Sequence, residues 1–404
     1  MVKKLWNKNF ILLLQASAIS TIGDLMYSVA IGYWVYEQTG SSALMGIMSS
    51  ISMFVTMFLS PFTGSIVDKC SRKWVLVIGD AFQGLLMLVI GVLAFMGNLN
   101  IPIVLIAAFL AAIGGVFYSP AANTSLIDII PYSEMVRGQS LFSGVSSTIN
   151  MVGTAFSGVM VAFFGVPLII ILNGLSNLYS ALSELFISIP KTVQQGETIS
   201  VRGILRDSRA AITEIFADPH LQLFVPCLLI INLLSAGPFS LLLPFTIEKG
   251  FSVEQYGYIM STWTAASLVS VILLGIFKFS PKSRFWIMAV SFSASSVFMV
   301  LTSISKQFVP MCILAFISGF LIAAGNAIFN ASLMLALPEK NRGAIMGFIS
   351  SACVGGSALS AVIYGVLGDI FPLYIVFAVG SALALAPMLF LCFHKRTRAF
   401  ILKN

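Results

Sequence analysis

Charged and turn-forming residues cut this chain into a succession of apolar runs of about twenty residues or more, at approximately 10–36, 42–67, 74–96, 101–130, 139–164, 166–189, 220–247, 254–279, 284–304, 308–337, 342–368 and 372–393. A bilayer core is about 30 Å thick and takes roughly 20 helical residues to cross. Within it each backbone N–H and C=O needs a partner in the same segment or in a closed barrel, so runs of this length predict α-helices. The pattern predicts an all-α integral membrane protein with twelve spans. Composition agrees: 58% of the 404 residues are hydrophobic and only 9% are charged, outside the soluble range.

The basic residues test that count. With the N-terminus inside, 20 of the 22 Lys and Arg residues fall in cytoplasmic segments, and only Lys249 and Lys306 fall outside. Lys and Arg accumulate in cytoplasmic loops, so both termini are expected in the cytoplasm of a cell carrying a multi-pass protein in its plasma membrane. The net charge of +7 is spread singly or in short clusters between spans, which argues against nucleic acid as a partner.

Several chemistries find no footing. The cysteines (Cys70, Cys227, Cys312, Cys353, Cys392) include no CxxC pair, and His220 and His394 stand alone near helix ends, so neither a disulfide framework nor a metal site is expected. There is no GxxxxGK[ST] loop to cradle ATP and no Ser, His and Asp arrangement; an enzyme is not expected, nor a cofactor. Lys3, Lys4 and Lys8 precede a first run interrupted by Gln15 and Asp24 without a cleavage pattern, so that span should be retained.

The spans fall into two sixes. Residues 1–189 form an N-terminal six-helix bundle and 220–404 a C-terminal one, joined by a polar linker at 190–219. Within the linker, Val201, Ile204, Leu205, Ile212, Ile215 and Phe216 recur at helical spacing, which predicts an amphipathic helix at the cytoplasmic surface. The halves echo each other: NTSLIDIIP from Asn123 and NASLMLALP from Asn330 both precede an acid and an Arg-Gly pair. Duplicated halves suit alternating access, in which two bundles rock about a site near the midplane.

Three acids sit inside predicted spans. Asp24 lies 14 positions beyond Phe10, about 21 Å along a helix and near mid-membrane. A carboxylate there costs about 2.5–3.5 kcal/mol on insertion scales, so it either carries a proton through a transport cycle or is pinned by hydroxyls and helix ends. Asp80 and Glu184 lie nearer the cytoplasmic ends of their spans. Asp80 suits a gate contact or an interfacial ion pair; Glu184 suits a structural role or a second protonation site.

The segment GSIVDKCSRK, residues 64–73, places four charges among its last six residues between two apolar runs. It resembles the signature loop of the major facilitator superfamily, with Gly64, Asp68, Arg72 and Lys73 between the second and third spans. ISTIGDLMYSVAIGYWVYEQTGSSALMG at 19–46, YSPAANTSLIDIIP at 118–131 and FADPHLQLF at 216–224 resemble the macrolide-efflux branch of that superfamily. The resemblance covers essentially the whole chain and implies the major facilitator fold of two pseudo-symmetric bundles. It implies a cytoplasmic gate at Gly64, Asp68, Arg72, Lys73 and Asp80; the proton-coupling residues expected from their place inside the spans are Asp24 and Glu184. The first and fourth helices of each half would line the cavity, bringing Asn123, Asn232, Asn326 and Asn330 to the substrate, with Tyr27 and Trp263 as aromatic walls. The chain departs from proton-coupled drug exporters in having no Arg in its fourth span, and Thr154 where a Gly-Pro signature would have proline.

The expected function is secondary export of a hydrophobic or amphipathic small molecule, such as a macrolide-like drug, in exchange for protons, by a monomer in the bilayer of a bacterium. The same machine could carry a siderophore, a lysolipid or an endogenous metabolite. A transport-inactive sensor or scaffold is the reading from another class.

Overall fold

A computed structural model describes residues 4–189, 213, 215–217, 221–276, 280–336 and 342–394. Every regular element among them is helical. In chain order these are α1 (Lys8–Thr39), α2 (Ser42–Lys69), α3 (Arg72–Phe95), α4 (Ile101–Ile129), a 3₁₀ turn (Tyr132–Glu134), α5 (Met135–Leu185), α6 (Leu221–Ser240), α7 (Leu242–Glu248), α8 (Val253–Ile276), α9 (Pro281–Ile304), α10 (Phe308–Ala336), α11 (Arg342–Ile370) and α12 (Leu373–Phe393). Eleven helical stretches among the described residues are long and apolar enough to cross a membrane.

The spans expected at 139–164 and 166–189 are the two arms of α5. At 51 residues a straight helix would run about 77 Å, far more than a bilayer. Gly165 breaks it with φ of +73°, a conformation that side chains with a Cβ resist, and Pro167 follows. The span expected at 220–247 is likewise divided, into α6 and α7, just after Pro238. Most of the amphipathic segment expected at 190–219 lies outside the described residues; Ile215 is buried in the core cluster that includes Phe285, Met288 and Ile345.

The chain resolves into two compact units. Unit 1 comprises Met1–Gln38 and Phe54–Ser200; unit 2 comprises Thr39–Met53 and Val201–Asn404. The first 12 of the 28 residues of α2 therefore group with the helices of the second half.

In unit 1, α3 shows how a membrane helix is sided. Ile78, Phe82, Leu85, Val89 and Val92 recur at helical spacing and are exposed, as a lipid-facing stripe requires. The opposite face carries Asp80, Gly84, Met87 and Gly91, all buried. Lipid supplies no hydrophobic drive between helices, so close approach depends on small residues. A Cβ on Gly84 would stand 2.9 Å from the Gly174 carbonyl oxygen and 2.8 Å from Leu178 Cγ; one on Gly91 would stand 3.0 Å from the Ile171 backbone nitrogen. These contacts lay α3 antiparallel along the second arm of α5, and Asp80 is on the face pressed against it.

In unit 2, Phe245 and Phe377 stack at 4.8 Å. The Lys249 ammonium stands 4.5 Å above the Phe245 ring and donates to the carbonyls of Ser303, at 2.7 Å, and Ser305. Burial pushes this ammonium down to about 8. At the end of α11, Asp369 receives the first turn of α2: its carboxylate accepts from the Ser42 backbone N–H at 2.6 Å, the Ser42 hydroxyl at 2.9 Å, the Ser41 hydroxyl at 2.6 Å and the Ala43 N–H at 3.2 Å. These are orphan donors of a helix N-terminus, and an anion is their natural partner.

Candidate functional site

The polar groups of unit 1 collect along the second arm of α5. Asn173, Asn177, Ser180 and Glu184 follow at intervals of four, three and four, so they share one face of the helix. Each is at most 2% exposed. Two neighbouring helices, α1 and α3, run antiparallel to this stripe and meet it.

α1 runs antiparallel to it. Asn9 donates to the Ser188 carbonyl, Gln15 to the Ser183 hydroxyl at 3.2 Å, and Asn177 Nδ2 donates to Asp24 Oδ1 at 3.3 Å. Gly23 makes the approach possible: a Cβ there would stand 2.1 Å from Ser176 Oγ. Asn177 also donates to Asn173 Oδ1 at 2.8 Å, which fixes the amide that meets Asp24. The Asp24 residue is itself exposed. It lies about 200° around the helix from Ile22, which shares the exposed apolar stripe with Ile11, so Asp24 opens on a different side of α1 from that stripe. Ser28, one turn on, is exposed with it.

α3 supplies Asp80, 2% exposed, beside Ser180. α4 supplies Tyr118, whose hydroxyl lies next to the Glu184 carboxyl and Ser17. Glu184 is 0% exposed. Asp80 Oδ2, both Glu184 carboxyl oxygens, and the Tyr118 and Tyr27 hydroxyls are buried without a hydrogen-bond partner among the described residues. None of the three acids has a cationic partner among the described residues; Arg72 pairs with Asp128, and Lys73 donates to the Leu185 carbonyl. The arrangement is a column of three carboxyl groups along one face of α5.

The expected gate residues separate into groups. The side chains of Gly64 and Asp68 lie outside what the structure describes. Arg72 Nη1 pairs with Asp128 Oδ2 at 2.6 Å and donates to the Thr124 carbonyl at 3.1 Å, tying α3 to the end of α4. Lys73 donates to the Leu185 carbonyl at 2.6 Å, at the C-terminal end of α5. Asp80 sits with Glu184 rather than with these cations.

The expected cavity residues are distributed over both units. In unit 1, Tyr27 lies near Asp24, and Asn123 is exposed on α4, donating to Ser119 and accepting from Gln139, both at 3.4 Å. In unit 2, Asn326 and Asn330 are exposed on one face of α10. Asn232 is half-buried on α6 and donates to its own helix at the Leu228 carbonyl. Trp263 packs across Gly319, its ring 5.5 Å from that of Phe239.

Sequence reasoning missed Asn173, Asn177, Ser180 and the Tyr118 hydroxyl as members of the acid column. The signal was present as a polar stripe at helical spacing in an apolar span, NGLSNLYSALSE from Asn173.

The Arg72–Asp128 side chains are only 13% and 14% exposed. Breaking a buried pair from one side leaves a charge stranded and costs about 3–5 kcal/mol. Arg72→Gln and Asp128→Asn should therefore each lower the thermal unfolding midpoint in detergent, while the double variant recovers part of the loss. Strictly additive losses would contradict a coupled pair.

Comparison with known proteins places these features in context. The family model described as Major Facilitator Superfamily matches residues 13–353, with a second match at 227–401. Macrolide efflux protein A of Streptococcus pyogenes is 23% identical over 186 residues, 46% of this chain and 46% of that protein, so the match spans just under half of that relative's length. The multidrug efflux pump Tap of Mycobacterium tuberculosis (strain ATCC 25618 / H37Rv) is 22% identical over 376 residues, 91% of this chain and 88% of the pump. Among solved structures, the nucleoside transporter NupG superposes with a TM-score of 0.73 at 14% identity, covering 93% of this chain and 97% of its own. A bacterial homolog of the human lysosomal transporter Spinster, inward-facing and occupied, gives 0.72 at 12% identity, covering 97% of this chain and 95% of its own. At these identities the likeness is one of fold.

Proposed function

The chain belongs to the Major Facilitator Superfamily, and on that footing we propose that it is a secondary exporter of a hydrophobic or amphipathic compound of the macrolide type, driven by exchange for protons. The observation that carries this reading is the acid column of unit 1: an exposed Asp24 deep in α1, backed by two fully enclosed carboxyl groups with no cationic partner among the described residues. Uncompensated carboxyl groups in a low-dielectric interior persist where proton binding is part of the work. Asp24 accepts a proton from one side and gives it up to the other as the transporter alternates. The macrolide and multidrug efflux relatives favour an exported drug over a siderophore, lysolipid or endogenous metabolite as cargo.

In this scheme the exposed Asn123, Asn326 and Asn330, with Asn232, Tyr27 and Trp263, contact the substrate. Gly64 and Asp68 act in a gate at the cytoplasmic end of α2. The protein works as a monomer in a bacterial cell membrane with both termini in the cytoplasm.

Everted membrane vesicles provide the test. Vesicles carrying the protein should concentrate a macrolide or a lipophilic dye when the lumen is acidified, and a protonophore should abolish the accumulation. Accumulation that survives collapse of the proton gradient would reject proton exchange. A protein that accumulates none of a broad panel under any gradient would favour a sensor or scaffold.

A further inference from the structure

We propose that Asp80 and Glu184 form a second proton-binding site, distinct from Asp24, in which two carboxyl groups share one proton beside the Tyr118 hydroxyl and relay it between Asp24 and the Arg72–Lys73 end of unit 1. The relay rests on the proton-coupled reading above; the shared proton does not.

Enclosure comes first. Asp80 is 2% exposed and Glu184 0%, and three of their four carboxyl oxygens have no hydrogen-bond partner among the described residues. An ionised carboxylate so enclosed costs several kcal/mol unless paired, and binding a proton is the way out. The groups facing the pair come from every helix packed around it: Asp24 and Ser17 from α1, Tyr118 from α4, Ser180 from α5. None of them is a cation. Two carboxylates in one site cannot both ionise at reasonable cost, so the pair carries a net charge of about −1 with one proton between them.

Position comes second. Asn177, Ser180 and Glu184 rise along one face of α5 by about 10 Å in all, with Asp24 at the first, Asp80 at the second and Glu184 at the last. Glu184 adjoins Leu185, whose carbonyl holds Lys73 at the end of the bundle. A proton arriving from that end binds the Glu184 carboxylate. With one proton already held, this second proton makes the pair neutral; Asp80 then gives a proton to the Asp24 carboxylate, which becomes neutral as the pair returns to a single negative charge. The Tyr118 hydroxyl, buried beside the Glu184 carboxyl and Ser17, is placed to donate to the Glu184 carboxylate when it is charged.

Infrared difference spectroscopy on the purified full chain tests the pair without any transport. Between about pH 5 and pH 9, the wild type should show the C=O stretch of a protonated carboxylic acid that persists through neutrality, above the usual carboxyl range. Asp80→Asn and Glu184→Gln should each diminish this band and move the titration of what remains to lower pH, because the like-charged neighbour is gone. Asp24→Asn should leave the neutral band in place. Should either variant fail to fold, wild type labelled with carboxyl-¹³C glutamate should shift part of the band. A neutral-pH band indifferent to the label and to both variants would overturn the proposal, as would its loss when sodium replaces potassium, which would make the pair a sodium site. A missing band with proton-driven uptake intact removes the pair and leaves the exporter; an intact band with uptake indifferent to protons removes the exporter and leaves the pair.

Discussion

Cells producing the Asp24→Asn chain should retain a macrolide or dye at the level of cells lacking the protein, while the variant's abundance in the membrane stays normal. Asparagine keeps the shape and keeps an oxygen for the Asn177 amide, which donates to Asp24 at 3.3 Å. The Gly23 contact with Ser176, which brings α1 against α5, is untouched. Only the capacity to gain and lose a proton is removed. Coupled export should fall by at least tenfold, a difference of about 1.4 kcal/mol in the barrier. Unchanged drug retention relative to wild type would make Asp24 a structural group held by its amide partners, and the coupling would have to lie elsewhere.

A large loss of stability is also expected at Gly46. A Cβ there would stand 2.2 Å from the Ala361 carbonyl oxygen and 3.0 Å from its carbonyl carbon, both backbone atoms that no rotamer change can move. One turn earlier the fit is also close from the other side, with a Cβ on Gly365 standing 2.7 Å from the Ser42 carbonyl oxygen. Overpacking of this kind costs about 1–3 kcal/mol. Pushing α2 from α11 also loosens the bonds of Asp369 to the first turn of α2, and losing such a helix cap costs about 0.5–2 kcal/mol more. Gly46→Ala should therefore lower the unfolding midpoint sharply. Gly144→Ala makes the same chemical change where nothing lies within 4 Å, and should be neutral or stabilising by up to about 1 kcal/mol. Equal midpoints for the two variants would show that the α2–α11 contact is not tight in the membrane protein.

The helices were legible because bilayer thickness turns hydropathy into length; nearly every expected span lies within a few residues of an observed helix. The grouping of Thr39–Met53 with unit 2 was not legible, since it depends on Asp369 and Gly365, more than 300 residues away in the chain. The site divides similarly. Asp24 stood out as a lone acid in an apolar run. Asp80, measured along its own helix, is six residues from Trp74 and reads as part of the charged loop. Its true neighbours follow from Gly84 and Gly91, which let α3 settle on α5 and turn that face toward Ser180 and Glu184. Arg72, expected at the gate, pairs with Asp128 within unit 1, a partner that its place in the loop does not name. Periodicity tells which residues share a face; it does not tell which face meets which helix.

Proton movement in proteoliposomes tests the central claim most directly. With purified protein and a pH-sensitive dye sealed inside, an imposed substrate gradient should drive protons in the opposite direction through the wild type and not through Asp24→Asn. Substrate that crosses with no accompanying proton flux, or an Asp24→Asn protein that moves protons as the wild type does, would contradict the account.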